Sequence, residues 1–471
     1  MRDGLSRSKE VWTGGTMFMV LAASAFAQAK PFSLPGTGQP PAPPTPPTVA
    51  APATPVAAAE KGTLDSFFNG KLPDAIAQGK FSLNARLRYE FAEDDRFAKD
   101  SNAATLRTRF GFTTAPLYGF TAMLEGENIA VLGPEHNFNA AGSNGQGTRP
   151  PVADPPTTEL NQAWLAYNYD NQVGAKIGRQ RIALDNHRFI GDVGWRQNMQ
   201  TFDAVSATFT PVKELDLYYG YLWEVNRVFG DVSGLPVANR DFDSDSHLLN
   251  ISYAPFEYGR FVGYAYLLDL DLGAGATRFD NSCATYGGYF AGSAPVTDTL
   301  ALGYRAEVAW QTDYADSALD YDALYYNFEL SGNVKPFAFG VGYEVLGSGR
   351  NDSAPGRVGF KTPLATLHAF NGWADMYLAT PNAGLRDLYA YVQVTLPGQM
   401  PLRFVYHKLD ADKGGADFGH EYDVVLSKKL GKHSSAMLKY SYYHGRDAAP
   451  PAIAAANVDA HKFWAQIEFN Y

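Results

Sequence analysis

From Lys80 to Tyr471 the sequence alternates apolar and polar residues with a period of two, and this constrains the fold more than any other feature. In the last segment Phe463, Ala465, Ile467, Phe469 and Tyr471 share one face, and Trp464, Gln466, Glu468 and Asn470 the other. Near the start of the pattern Phe81, Leu83, Ala85, Leu87, Tyr89 and Phe91 oppose Ser82, Asn84, Arg86, Arg88 and Glu90. Helical spacing fits neither stretch, whereas alternate residues of a strand point to opposite faces. The same reading predicts strands over 81–91, 103–115, 119–130, 159–169, 173–182, 201–210, 213–224, 246–254, 258–269, 283–292, 299–311, 321–332, 335–346, 385–396, 400–409, 418–430, 434–444 and 459–471. The segment 283–292 is the weakest, being Gly-rich with poor alternation.

The connections divide into two kinds. Tight turns such as Pro116-Leu117-Tyr118, Asp170-Asn171-Gln172, Pro397-Gly398-Gln399 and Gly431-Lys432-His433 alternate with long connections over 131–158, 183–200, 225–245, 347–384 and 445–458. Short turns on one side and long loops on the other are the pattern of an outer-membrane barrel. The predicted fold is therefore all-β: a transmembrane antiparallel β-barrel of eighteen strands with short periplasmic turns and long extracellular loops. Aromatic residues make up 14% of the chain while mean hydropathy is only −0.24, which suits strands that meet lipid with alternate residues. The aromatic, alternating C-terminus resembles the signal by which such barrels are delivered to the barrel-assembly machinery. A closing last strand also leaves no free sheet edge.

The N-terminal residues read as an export signal. Arg2, Arg7 and Lys9 precede an apolar run over 16–27 that ends in Ala25-Phe26-Ala27, a cleavage site. Residues 28–61 form a Pro-rich periplasmic linker, with Pro40-Pro41-Ala42-Pro43-Pro44 at its centre, and 62–79 a short periplasmic segment before the barrel at 80–471. The expected location is the outer membrane, with lipid and lipopolysaccharide as neighbours and a monomeric state. The net charge of −10 argues against nucleic acid as a partner. One cysteine, Cys283, excludes an internal disulfide framework and a Cys-based metal cluster. No cofactor, metal or catalytic residue is expected. His407 and His461 are the nearest candidates for hydrolase chemistry, but no serine motif is placed to use them.

An Arg or Lys on the lipid face costs about 2–4 kcal/mol at the bilayer midplane. Arg86, Arg88, Arg107, Arg109, Arg305, Arg403, Lys439 and Lys462, which oppose apolar faces, are therefore expected to point inward, together with Glu90, Glu125, Glu127, Asp216, Glu224, Glu307, Glu329, Glu344, Asp387, Glu421, Asp423 and Glu468. Arg86, Arg88, Arg107, Arg109, Glu125, Glu127, Arg305, Glu307 and Arg403 are the candidate pore-lining residues. The basic members cluster in the first two strands and read in two ways: as a ladder for an anionic solute, or as internal ion pairs with neighbours such as Glu125 and Glu127. Strict alternation puts Arg179 and Arg181 outward, so either the strand leaves the bilayer by Gly178 or a bulge there shifts its register.

Two blocks carry a family resemblance. Gly178-Arg179-Gln180-Arg181-Ile182 leads into Asp185-Asn186-His187-Arg188-Phe189-Ile190-Gly191, followed by Trp195-Arg196-Gln197-Asn198 and Thr201-Phe202-Asp203-Ala204. The second block runs from Thr362-Pro363-Leu364 through His368-Ala369-Phe370-Asn371-Gly372-Trp373-Ala374-Asp375. Both resemble the alginate-export family of outer-membrane barrels. That resemblance implies a monomeric, porin-like barrel of eighteen strands and passive movement of a solute: an anionic polysaccharide, an oligosaccharide or a small organic anion. Each block falls in or beside a long loop able to fold inward, so Arg179, Arg181, Arg188, Trp195, Arg196, Asp203, His368, Trp373 and Asp375 are the candidate constriction residues. A structural or adhesive barrel with a blocked lumen is the alternative function.

Overall fold

The structure, a computed structural model, describes residues 71–232, 240–271, 280–446 and 457–471. The export signal, the Pro-rich linker and residues 62–70 lie outside the described residues. A short helix α1 (Leu72–Ala77) precedes the barrel, and its Ala75 carbonyl accepts a 2.9 Å hydrogen bond from Ala115 N in the first turn.

Eighteen antiparallel strands form one closed barrel. They are β1 (Lys80–Asp94), β2 (Ser101–Thr113), β3 (Phe120–Val131), β4 (Thr157–Tyr169), β5 (Val173–Gln180), β6 (Thr201–Val212), β7 (Leu215–Asn226), β8 (Asp241–Phe256) and β9 (Gly259–Leu268). The second half comprises β10 (Cys283–Pro295), β11 (Leu300–Thr312), β12 (Asp322–Val334), β13 (Phe337–Leu346), β14 (Leu385–Leu396), β15 (Met400–Asp410), β16 (Asp417–Lys429), β17 (Ser434–Gly445) and β18 (Asp459–Asn470). Each of the eighteen predicted segments is a strand. Leu270–Asp271 extends the pairing of β8, and Ser348–Arg350 with Arg357–Gly359 makes a small hairpin in the loop before β14.

The ring closes between β1 and β18, from Asn84 opposite Asn470 to Asp94 opposite Ala460. Outward residues such as Leu87, Val308, Leu330 and Ile467 remain exposed, as a lipid-facing surface requires. Inward residues of the same strands, among them Arg88, Glu90, Glu307 and Trp464, are buried. The Gly-rich β10 lacks alternation for a steric reason: a Cβ on Gly292 would lie 1.8 Å from the Tyr258 carbonyl oxygen, so the strand needs a bare backbone there.

The lumen is filled on the loop side. An apolar cluster joins loop residues Phe189, Ile190, Phe360 and Leu364 to the barrel wall at Phe202, Leu222, Tyr264, Tyr325 and Leu346. Phe189 wedges between aromatic rings, 5.1 Å from Tyr325 and 5.5 Å from Tyr264 between centroids. Burial of this kind, at about 25 cal/mol per Å² of apolar surface, holds the inward loops where polar strand faces alone would leave water.

Candidate functional site: an inward plug and an open vestibule

The two sequence blocks meet inside the barrel. Ile190 and Leu364 form a parallel bridge, Gly191 N donates to Leu364 O at 2.8 Å, and Thr366 N donates to His187 O at 3.0 Å. The loop over 181–200 and the loop over 360–377 thus make one inward plug, although some 170 residues separate them.

Ion pairs dock this plug on the wall. Arg188 grips Glu344 of β13 through Nε (2.8 Å) and Nη2 (3.0 Å), and Nη2 also donates to Asn371 Oδ1 at 3.0 Å. Arg196 bonds Glu90 of β1 at 3.1 Å and Asp375 at 2.9 Å. Lys462 of β18 also reaches Asp375, at 3.0 Å. Ala374 N donates to Glu421 Oε1 at 2.7 Å. Trp195 stacks on His368 with centroids 4.2 Å apart and planes at 8°, and the Arg88 guanidinium lies 4.2 Å from the Trp195 ring. Lys439 sits among Trp195, Trp373 and Trp464, at 4.1, 3.7 and 5.4 Å from the ring centres, and donates to His368 Nε2 at 2.7 Å. A ring nitrogen that accepts from an ammonium carries no proton, so His368 is neutral and its Nδ1–H donates to Asp375 Oδ1 at 2.6 Å. Burial, followed by the neighbouring Lys439 charge, holds the His368 imidazole well below its usual pKa. Burial works to raise Asp375, but His368, Lys462 and Arg196 outweigh it and keep the carboxyl well below the usual range.

The basic residues of β1 and β2 face this plug. Arg86 pairs with Glu468 and donates to the carbonyls of Gly194 (3.0 Å) and Trp195 (3.3 Å). Arg88 bonds Gln466 at 2.7 Å and lies 3.8 Å from Asp154. Arg107 bonds Asn84 and Glu468 rather than Glu125 or Glu127, and Arg109 pairs with Glu127 directly opposite. Glu125 instead accepts from Asn161 (2.7 Å) and Gln162 (2.9 Å). Arg305 pairs with Glu307 at 2.8 Å.

Six of the constriction candidates, Arg188, Trp195, Arg196, His368, Trp373 and Asp375, come together in the plug. Arg181 lies just past the end of β5 and pairs with Asp192 inside the loop. Arg179 and Asp203 are elsewhere. They bond each other at 2.7 and 2.8 Å on the wall, one residue from the loop end of β5, on the face that exposes Ile177. Gly178 has φ +115, but the pairing of β5 with β4 continues through it without a register shift, so the bulge considered from sequence does not form there. Outward parity persists to the rim, where the carboxylates of Asp203 and, at 4.0 Å, Glu224 compensate the guanidinium.

Beside the plug, on the turn side, lies a vestibule of about 550 Å³. Its floor includes Lys213 and Glu214 from the β6–β7 turn and Glu257 and Tyr258 from the β8–β9 turn. Asp185, Asn186 and Phe370–Asn371 of the plug cap it. Of the nine pore-lining candidates, Arg305 and Arg403 line this space. Sequence reasoning missed Arg260, Glu214 and Asp185. Asp185 gathers the hydroxyls of Tyr289 (2.8 Å) and Tyr266 (3.3 Å) and the Asn250 amide (2.8 Å), contacts for which two-residue alternation gives no signal. Arg403 stacks 3.9 Å from the Tyr391 ring centre and carries no ion pair among the described residues.

Comparison with known proteins agrees with this architecture. No curated protein matches the sequence. Among solved structures, OccAB2 of Acinetobacter baumannii superposes with a TM-score of 0.63 at 14% identity, covering 84% of this chain and 99% of that one. OpdQ of Pseudomonas aeruginosa gives 0.60 at 14% identity, covering 84% and 99%. OccD3 (OpdP) of the same organism gives 0.58 at 14%, covering 84% and 92%. At such identities the likeness is one of fold. The sequence itself matches the Alginate export profile over residues 78–344, more than half of its length. This outer-membrane, porin-like barrel belongs to the alginate export family.

Proposed function

We propose that the protein is a passive channel for a small organic solute bearing a carboxylate, with the plug as its constriction and the vestibule as the place where the solute is held. The observation that carries this reading is the division of the lumenal cations. Arg86, Arg88, Arg107 and Arg109 are engaged by wall partners, and three of them also hold loop carbonyls. Arg260 and Arg403 line the vestibule and carry no carboxylate partner among the described residues. A guanidinium left without a carboxylate in a solvent-filled recess is suited to a planar carboxylate ligand. The vestibule volume falls within the range of small-molecule sites, about 300–1,000 Å³, which favours a small solute over a polymer.

Planar-bilayer recording from the purified protein tests the channel. Steps of ionic current with an anion-favouring reversal potential are expected, and Arg403→Gln should move that potential toward zero. Absence of any current in salt or in carboxylate buffers would overturn the reading in favour of a barrel with a blocked lumen. That alternative draws on one specific observation, the continuous apolar packing of Phe189 and Phe360 against the wall.

A further inference from the structure

Glu214 is the anomaly of the vestibule. It is 5% exposed, both of its carboxylate oxygens lack a hydrogen-bond partner, and it carries no ion pair among the described residues. Buried carboxylates elsewhere in the lumen, such as Glu344 and Asp387, hold two or more partners each. An orphaned buried carboxylate that lines a cavity calls for a donor from whatever occupies that cavity. Its counterpart is Arg260, which lines the same cavity and donates to the Tyr289 hydroxyl at 3.0 Å.

The sheet sets the distance between them. Ala254 N donates to Glu214 O at 2.8 Å, and on the other side of β8 the pairing with β9 passes from Tyr253–Phe261 to Phe256–Gly259 through a bulge that sets Ala254 and Pro255 together against Arg260. The backbones of the acid and the base therefore stand two strands apart, roughly 9–10 Å by strand spacing, and both side chains line the same cavity. The ammonium nitrogen and carboxylate oxygen of an α-amino acid are about 3 Å apart. With a charge-assisted hydrogen bond of about 2.8 Å at each end, such a molecule can bridge two side chains that reach into one cavity of about 550 Å³. Arg305 flanks the basic side, since Ala291 of β10 stands opposite both Arg260 and Arg305. Asp216, the next inward residue after Glu214, flanks the acidic side.

We infer that Glu214 and Arg260 form a subsite for a zwitterionic α-amino acid, with the ammonium on Glu214 and the carboxylate on Arg260. This inference rests on the channel reading for its purpose, but binding can be measured apart from transport. Liposome swelling with the full chain compares L-alanine with propionate, which lacks the ammonium, and ethylammonium, which lacks the carboxylate. Alanine should enter about tenfold faster than either, the size of one charge-assisted bond. Glu214→Gln should bring alanine down to the rate of propionate, and Arg260→Gln should slow alanine and propionate together. Ala254→Leu, which adds bulk to the cavity wall without touching either charge, should remove the preference and stands in if a charge variant fails to fold. Equal entry of the three probes, or a preference unchanged in all variants, overturns the subsite. Saturation-transfer NMR of alanine on the detergent-solubilised protein separates the two ideas. Binding lost in Glu214→Gln without any swelling keeps the subsite and sinks the channel, while swelling without alanine binding or preference does the reverse.

Discussion

The two sides of the lumen use charge in opposite ways. Along β16–β18 and β1–β3, Arg88, Arg107, Glu90, Asp423 and Lys439 are buried, and the loops folded onto them supply ring, backbone or ion-pair contacts. Along β7–β11, Arg260, Glu214 and Asp216 face a cavity and carry no ion pair among the described residues. Both sides obey the same alternation and carry the same residue types. What differs is whether a loop lies on them. Where a loop lies on the wall, a charged lumenal residue is packed against it; where none does, the residue faces the cavity or, like Arg305 with Glu307, pairs within the wall.

The sharpest way to break this contrast is Arg196→Ala. It leaves Glu90 buried without its cation and Asp154 and Asp375 with only Arg88 and Lys462, a loss of about 3–5 kcal/mol for a broken buried pair. The plug should detach from β1, and single-channel conductance should rise; an unchanged conductance would show that the apolar cluster alone holds the loop. Trp195→Ala comes next. It removes the His368 stack and the Arg88 and Lys439 contacts, at about 3–5 kcal/mol for an aromatic truncation, with a lowered midpoint of thermal unfolding as the readout.

A milder perturbation uses acid. The docked His368 has a depressed pKa, so the undocked loop, whose histidine titrates near about 6.5, binds protons more readily. Docking is fully stable above that ordinary value and weakens as pH falls below it, because a protonated Nε2 cannot accept from Lys439. Asp375 adds its own loss only at lower pH, since its depressed pKa stabilises docking above the ordinary carboxylate range. Channel opening should become more frequent from about pH 7.5 to about pH 5, and His368→Gln should flatten that dependence.

On the vestibule side, Arg403→Gln should alter ion preference while barely moving the unfolding midpoint, because no carboxylate is orphaned; an equal loss of stability would place Arg403 with the structural set. The smallest effect belongs to Arg179→Ala at the rim. Its pairs with Asp203 and Glu224 are partly open to solvent, and such pairs contribute about 0–1 kcal/mol. Conductance should be unchanged.

The barrel was legible because lipid imposes its pattern on every strand: one face must be apolar from Phe81 to Phe91 as from Phe337 to Val345, whatever fills the interior. Even β10, whose glycines blur the alternation, was placed by its neighbours. Inward orientation was equally readable for Arg86 and Arg107. Their partners were not, because alternation states which face a side chain takes and nothing about what covers it. Arg86 meets Glu468 across 382 residues and Arg188 meets Glu344 across 156. The two family blocks flagged the loops, yet their mutual contact at Ile190 and Leu364 depends on both reaching the same depth of the barrel. Arg179 and Asp203 were assigned to the constriction because they stand in the first block, but their strands end at the rim before the loop turns inward. Glu214 falls inside the predicted strand 213–224, on the face of Asp216, but alternation gives no sign that its carboxylate is left without a partner.

The closure between β1 and β18 has a consequence for the order of events during biogenesis. Arg196 is held by Glu90 of the first strand, while Asp375 is held by Lys462 of the last, and Arg86 ties Glu468 to the loop backbone at Gly194. Half of that cradle is missing until the final strand arrives. Arg188 and the apolar cluster around Phe189 have their partners on β6–β13, but the docking of Asp375 and of the Gly194 backbone is completed only with the closed ring. Once seated, the inward loops bind the first and last strands to each other from within, so the seam is held by the plug as well as by its own ladder.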